Sequence, residues 1–180
     1  MELLDYGIKA ALTATPRAGI HKYIFPKDTL SQIHIDLGYA LNWDRPTETF
    51  ISVVNNTTIQ GYRKSTGWAK DQRVYFEIQL SKPFSSYQLY SNDSLVRSSV
   101  KGNNTKIILN YQTVENEEVI LKTGLSTASI KGAKKSLTIE APHFNFERYQ
   151  RSADSLWENE LQKIHIETSN LDKKHIFYTM

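Results

Sequence analysis

Cysteine is absent from the 180 residues, which excludes disulfides and thiolate metal sites and leaves the redox compartment open. No stretch reaches the roughly 18 consecutive apolar residues that a spanning helix needs. The opening Met1-Glu2-Leu3-Leu4-Asp5 lacks the basic and apolar blocks of an export signal. Neither charge sign dominates: 22 Lys and Arg are scattered among 19 Asp and Glu, a pattern that argues against a nucleic-acid partner. Catalytic signatures are missing as well, with no Gly-rich phosphate loop, no G-x-S-x-G and no H-E-x-x-H. His21, His34, His143, His165 and His175 never fall at H-x-H or H-x-x-x-H ligand spacing. The carboxylates do not cluster as calcium ligands would.

Aromatic residues are well represented, with 10 Tyr, 7 Phe and 3 Trp, and they suit pleated sheets. A chain of this length can bury roughly 70% of its unfolded surface, enough for one domain with a true core. From about residue 5 to 127 the dominant period is two. In 73–80, Val74, Phe76, Ile78 and Leu80 point one way while Arg73, Tyr75, Glu77 and Gln79 point the other. That predicts one buried face and one wet face, as in an antiparallel sheet. Ile33, Ile35 and Leu37 alternate in the same manner, as do Ile107, Leu109 and Tyr111. Further strands are predicted at 8–12, 19–25, 50–54, 58–63, 84–90 and 119–125. Turn signals divide them at Pro26-Lys27-Asp28, Asn55-Asn56, Ser91-Asn92-Asp93 and Gly102-Asn103-Asn104. The expected fold is a mainly β, antiparallel sandwich or barrel over 1–127, followed by helices over 128–180.

The period changes near residue 128. Residues 129–140 have helical composition, and Pro142 breaks the chain after them. Phe146, Tyr149, Ala153, Leu156, Trp157, Leu161 and Ile164 follow at spacings of three and four, which places them on one helical face, with a strand beginning at Ile164 and Ile166 as the alternative for its end. Ser169 and Asp172 have capping-box spacing for a last helix from Leu171, carrying Ile176, Phe177, Tyr178 and Met180. A helix that ends on apolar residues is expected to continue into something it packs against, so the sequence reads as part of a longer polypeptide.

The stretch from Gly61-Tyr62-Arg63 to Gly67-Trp68-Ala69-Lys70-Asp71-Gln72 combines a Trp, several cations and hydrogen-bonding groups between two strands. Sugars are held in this way, with an aromatic face over C–H groups and fixed polar groups on the hydroxyls. The plain alternative is that Trp68 plugs the edge of the sandwich. His34 reads as surface and His21 as structural. Lys131, Lys134 and Lys135 read as a solvated helix face, with an anionic partner as the alternative. Asn55, Asn56, Asn92 and Asn103 begin formal sequons but suit turns equally, and Asp93 reads as an Asx turn residue.

Taken in order, several segments resemble glycoside hydrolase family 92, the calcium-dependent exo-acting α-mannosidases. The resemblance runs through Leu4-Asp5-Tyr6-Gly7-Ile8-Lys9-Ala10, Thr13-Ala14-Thr15-Pro16-Arg17-Ala18-Gly19-Ile20-His21-Lys22-Tyr23 and Gly61-Tyr62-Arg63. It continues through Gly67-Trp68-Ala69-Lys70-Asp71-Gln72, Val74-Tyr75-Phe76 and Ser129-Ile130-Lys131-Gly132-Ala133-Lys134-Lys135. It closes with Trp157, Leu161 and Ile176-Phe177-Tyr178-Thr179. It implies a supersandwich-like β-sandwich, incomplete at its N-terminus, with helices leading into an (α/α)₆ catalytic barrel outside this chain. It also implies that the parent is an exported bacterial α-1,2-mannosidase, inverting and calcium-dependent, acting on mannose-containing glycans.

In the family, the general acid, the base and the calcium ligands belong to the barrel. The resemblance therefore implies a chain inactive alone, with no cofactor of its own and the barrel as its partner in cis. Arg63, Trp68 and Asp71 are the expected pocket-rim or interface residues, and Ile176, Phe177 and Tyr178 the barrel-docking residues. Two alternatives stand beside this reading: an independent carbohydrate-binding module, and a protein-interaction sandwich. The apolar C-terminal helix is also expected to allow self-association of the isolated piece.

Overall fold

In the computed structural model, which describes residues 1–40, 43–96 and 99–179, the period-two segments become strands of two antiparallel sheets. The strands are β1 (Glu2–Leu3), β2 (Ile8–Ala14), β3 (Ala18–Phe25), β4 (Asp28–Asp36), β5 (Arg45–Asn55) and β6 (Thr58–Thr66). They continue with β7 (Gln72–Leu80), β8 (Ser86–Ser91), β9 (Ser94–Val96), β10 (Val100–Gly102), β11 (Thr105–Thr113) and β12 (Glu117–Ser126). The larger sheet runs β1-β2-β3-β12-β7-β6-β5-β10 and the smaller one β4-β11-β8-β9. Their facing sides enclose the main core, which includes Ile51, Ile59, Phe76, Leu89, Ile107, Leu109 and Val119. The sequence reading finds nine of these strands; β1, β9 and β10, at two or three residues each, are too short to show a period.

Strand β12 returns between β3 and β7, at the middle of the larger sheet. The chain then turns back as α1 (Ile130–Glu140) onto that sheet's outer face, and α2 (Phe146–Leu161) follows. Ser129 caps α1, its hydroxyl accepting from Gly132 N at 3.0 Å. The helix ends at Glu140, two residues before Pro142, with Ala141 as its C-cap. Ala133 and Leu137, four apart, are fully buried, Leu137 in a second core with Ile20 and Ile120 that Phe146 and Tyr149 complete. Each such large aliphatic contributes about 1.5–3 kcal/mol through burial.

The helices correct one expectation. Strand β7 does not have a wet side along its length: Glu77 is 4% exposed, while Val74, on the apolar side, is 42% exposed. Helix α1 covers the outer face near Glu77, and the smaller sheet leaves the inner face open at Val74.

Thr15 and Arg17 have a local role. Thr15 Oγ1 and Arg17 N donate to Glu140 Oε2, each at 2.8 Å, and Arg17 Nε donates to Oε1 at 2.6 Å. One carboxylate at the end of α1 thereby fastens the β2–β3 turn. A last helix, α3 (Leu171–Thr179), forms as expected, but its cap is Asn170, whose Oδ1 accepts from Lys173 N at 3.0 Å. Asn170 sits one residue beyond the predicted Ser169, and asparagine and serine serve equally well as N-caps. Met180, expected on this helix, lies outside the described residues.

Candidate functional site

Two connections on the same side of the sandwich meet through their tryptophans. Trp43 lies between β4 and β5, and Trp68 lies in the loop from β6 to β7. Their rings stack with centroids 6.2 Å apart and planes 26° from parallel. Both project into solvent, at 55% and 87% exposure, so Trp68 does not plug the sandwich edge. The loop closes on itself through Gly67 N, which donates to Ala69 O at 3.0 Å. Gly67 is needed there because a Cβ would sit 3.0 Å from the Asp44 Cα, a backbone atom with little room to move.

Arg63 supports this pair from below. Its Nε donates to Leu37 O at 3.0 Å, and its terminal nitrogen lies 2.6 Å from Asp44 Oδ2 as an ion pair. The ends of β4, β6 and the Trp43–Asp44 connection are thus tied by one guanidinium. Burial alone would raise the Asp44 carboxyl, but the Arg63 guanidinium beside it holds it below its ordinary value. Asp71 is not part of this cluster. It forks onto Arg73 at 2.6–3.1 Å, at the start of its own strand, and that hydrogen bonding lowers its pKa.

The structure therefore joins Arg63 and Trp68 through Asp44 and Trp43, and leaves Asp71 as a strand-end clamp. Trp43 and Asp44 were missed in the sequence. Their only signal is a Trp-Asp pair in a turn next to Pro46, and their meaning depends on a partner loop some 25 positions away.

Of the histidines, His34 is exposed and bonds Gln32 Oε1 at 3.0 Å, as a surface residue would. His21 pairs with the Tyr23 hydroxyl at 2.9 Å, and burial lowers its pKa. Lys131, Lys134 and Lys135 are solvated. Asn92 and Asp93 adopt positive φ in their turn, and Asp93 Oδ1 receives Lys106 Nζ at 2.5 Å. Among the described residues no group of three or more His, Asp or Glu side chains converges, so the residues present do not fit a calcium shell. Every carboxyl group whose pKa moves, from Asp44 to Glu147, moves down, and each has a cationic partner beside it.

The second set of expected residues lies at the other end of the chain. Ile176 and Phe177 are exposed on α3, while Tyr178 turns to its own chain and donates to Ile164 O at 3.1 Å. On α2 the apolar stripe runs on past the sheet: Phe146 and Tyr149 are buried, but Leu156, Trp157 and Leu161 beyond them are exposed, as is Ile164, which lies past the end of the helix rather than on its face.

Comparison with known proteins places this architecture. The family model for the glycosyl hydrolase family 92 N-terminal domain matches residues 1–126, and that for the family 92 catalytic domain matches residues 132–180. Among solved structures, the family GH92 alpha-mannosidase BT3965 from Bacteroides thetaiotaomicron superposes with a TM-score of 0.93 at 29% identity, over 99% of this chain and 25% of that one. The same enzyme in complex with mannoimidazole gives 0.85 at 28% identity, over 93% and 23%. The family GH92 inverting mannosidase BT2199, from the same organism, gives 0.80 at 21% identity, over 91% and 22%, a likeness of fold alone. The chain spans about a quarter of the length of these structures. No curated protein matches the sequence.

Proposed function

The chain belongs to glycosyl hydrolase family 92, and from that premise we propose that it is the non-catalytic sandwich and helical lead-in of an exo-acting, inverting, calcium-dependent α-1,2-mannosidase. In this reading it packs on a catalytic (α/α)₆ barrel in cis and helps to wall the mannose pocket, in an exported bacterial enzyme acting on mannose-containing glycans. The observation that carries it is the apolar face of α2 and α3. A stripe that begins as core at Phe146 and Tyr149 continues through Trp157 and Leu161 into solvent. Large exposed apolar surface of this kind marks an interface.

Hydrolysis with inversion needs a carboxylic acid to protonate the leaving oxygen and a second carboxylate to activate water. A bound calcium would supply charge to hold sugar hydroxyls. Glu140, Asp44 and Asp71 are committed to Arg17, Arg63 and Arg73, and no step of the reaction is assigned to any carboxylate of this chain. The contribution of this chain is positional: Arg63 fixes Asp44, and Asp44 with Gly67 fixes the Trp43–Trp68 platform at the rim. Mannose release is the direct test. The purified 180-residue chain with calcium is expected to release none from an α-1,2-mannobiose substrate, and measurable turnover would overturn the assignment.

The exposed tryptophan stack also favours a second reading, an independent carbohydrate-binding module. Isothermal titration with mannose and mannobiose separates the two. Binding by the isolated chain that is lost in Trp68→Ala supports the module, and silence supports a rim completed only by the barrel.

A further inference from the structure

The link between α1 and α2 runs over residues 141–145 and is held by polar contacts along its length. Ala141 O accepts from Lys122 of β12. Pro142 then fixes φ and offers no N–H. His143 is gripped by Tyr149, one turn into α2. The His143 N–H donates to the tyrosine hydroxyl at 3.0 Å, and that hydroxyl donates to the His143 carbonyl oxygen at 2.8 Å. The imidazole stacks on the Tyr149 ring, with centroids 4.5 Å apart and planes 24° from parallel. Its Nδ1 accepts from Asn145 N at 3.3 Å. Asn145 is the N-cap of α2, and its Oδ1 accepts from Arg148 N at 2.9 Å. The histidine side chain thus holds the residue that starts the helix.

This grip requires a neutral ring. Nδ1 accepts only while its lone pair is free, so the ring proton sits on Nε2. A second proton, on Nδ1, would set one N–H against another at Asn145. It would also place positive charge at the N-terminus of α2, where the helix dipole is already positive. The charged groups that act on the ring are Arg148 of α2 and Lys122 of β12, both cations. Carboxylates of the neighbouring elements are taken: Glu147 of α2 and Glu118 of β12 pair with Lys22 of β3, and Glu140 of α1 pairs with Arg17. Burial first, and those two cations next, lower the imidazole below its ordinary value. Burial raises the Tyr149 hydroxyl, which therefore keeps its proton wherever the histidine titrates.

We propose that His143 is an acid-sensitive latch at the root of α2, closed while the ring is neutral and released when Nδ1 takes a proton from solvent. In the released segment the ring protonates near its ordinary value of about 6.5, and in the closed latch only below it. The stability of the latch is therefore complete above about 6.5 and is lost as pH falls through that window. Release loosens Phe146 and Tyr149 from Ile20 and Ile120 and leaves the core between the two sheets intact, since no latch residue belongs to it. The direction of the apolar stripe on α2 then depends on pH. That consequence rests on the reading of the stripe as an interface, whereas the latch itself is a property of these 180 residues.

Amide exchange on the 180-residue chain at about pH 7.5 and about pH 5.5 tests the latch without any further domain. After correction for the intrinsic pH dependence of exchange, residues 146–150 are expected to open at least ~10-fold more readily at the lower pH, while 107–111 keep their protection. The midpoint of the change is expected to match the His143 titration followed by NMR. His143→Gln keeps an acceptor beside Asn145 and cannot gain a proton, so its α2 exchange is expected to be equal at both pH values. A wild-type α2 that does not respond to pH overturns the latch. So does an acid response that persists in His143→Gln, or one that reaches 107–111 to the same degree, which is general unfolding. A response confined to 18–25 belongs to His21, which burial also lowers, and overturns the proposal as well. If His143→Gln does not fold, the wild-type midpoints decide, and opening that fails to track the His143 titration overturns it.

Discussion

Lys122 donates from its Nζ to the backbone oxygen of Ala141 across 2.7 Å, from a residue 2% exposed at the centre of the larger sheet. The ammonium also lies 4.1 Å from the Phe144 ring centroid. A strand residue thus holds the α1–α2 connection, and the sandwich and the helices share one buried polar contact. Removing the stem by Lys122→Ala is expected to cost about 2–4 kcal/mol, and Lys122→Met less, because it keeps the packing and forfeits the hydrogen bond alone. Urea unfolding of the three proteins checks the order.

The same lysine makes a pH prediction. Burial lowers its pKa below the ordinary value. Between the lowered and the ordinary value the unfolded chain binds a proton that the folded chain does not, so stability attributable to Lys122 rises with pH through that window. Above about 10.4, the ordinary lysine value, the gain is complete. The difference between wild-type and Lys122→Met unfolding free energies should rise toward alkaline pH. A flat difference would show a solvated ammonium.

Helix α1 can lie this close to β12 only because position 124 has no side chain. A Cβ there would come within 2.6 Å of Leu137 Cγ and closer still to the Ala133 carbonyl oxygen, both on the helix it supports. Gly124→Ala is expected to destabilise by about 1–3 kcal/mol, as overpacking does, and to loosen α1. Thermal unfolding measures the first effect, and amide exchange over 130–140 the second.

These two contacts show what the sequence could and could not carry. Alternation in 73–80 and 107–111 located strands, because local burial imposes a period that neighbours in sequence share. The same alternation hid the burial of Glu77 and Lys122, since a covering helix from later in the chain is invisible to a short window. Residues 129–140 were legible as a helix by composition, but not the glycine that seats it. At the tryptophan stack, Arg63 and Trp68 stood out by composition. Trp43 and Asp44 did not, because stacking and ion pairing across two loops leave no local pattern. Asp71 stood out for the same compositional reason as Trp68, yet its carboxylate is taken up by Arg73, two residues away.

Glu48 offers an acid-side test on the outer face of the larger sheet. It receives Lys101 and Lys64, each at 2.6 Å, and the Tyr62 hydroxyl at 3.0 Å. Hydrogen bonds from Lys101 first and Lys64 next pull its pKa down to about 2. A depressed carboxyl contributes stability that is complete above its ordinary value of about 4.3 and is lost as pH falls toward about 2. Carbon-detected NMR titration should place its midpoint near 2. Glu48→Gln should flatten the acid limb of the stability curve over that interval and leave its slope near neutral pH unchanged. High salt should move the midpoint up, since the pair is solvent-facing.

The apolar stripe of α2 gives the last prediction. Trp157 is 69% exposed, and Leu156 and Leu161 are exposed beside it, so these residues add little to the stability of the isolated chain. They do leave a continuous apolar face whose burial is favourable whenever a matching face is offered. In the 180-residue chain the available face is that of another copy. Sedimentation equilibrium should therefore show a mass that rises with concentration, and the double variant Trp157→Ser with Leu161→Ser should remain a monomer. Because the substituted side chains lie outside both cores, the unfolding free energy of the variant should stay within about 0.5 kcal/mol of the parent per site. A wild-type chain that stays monomeric at high concentration would mean that α2 and α3 fold their stripe inward in solution, and the docking face would then have to lie elsewhere on the sandwich.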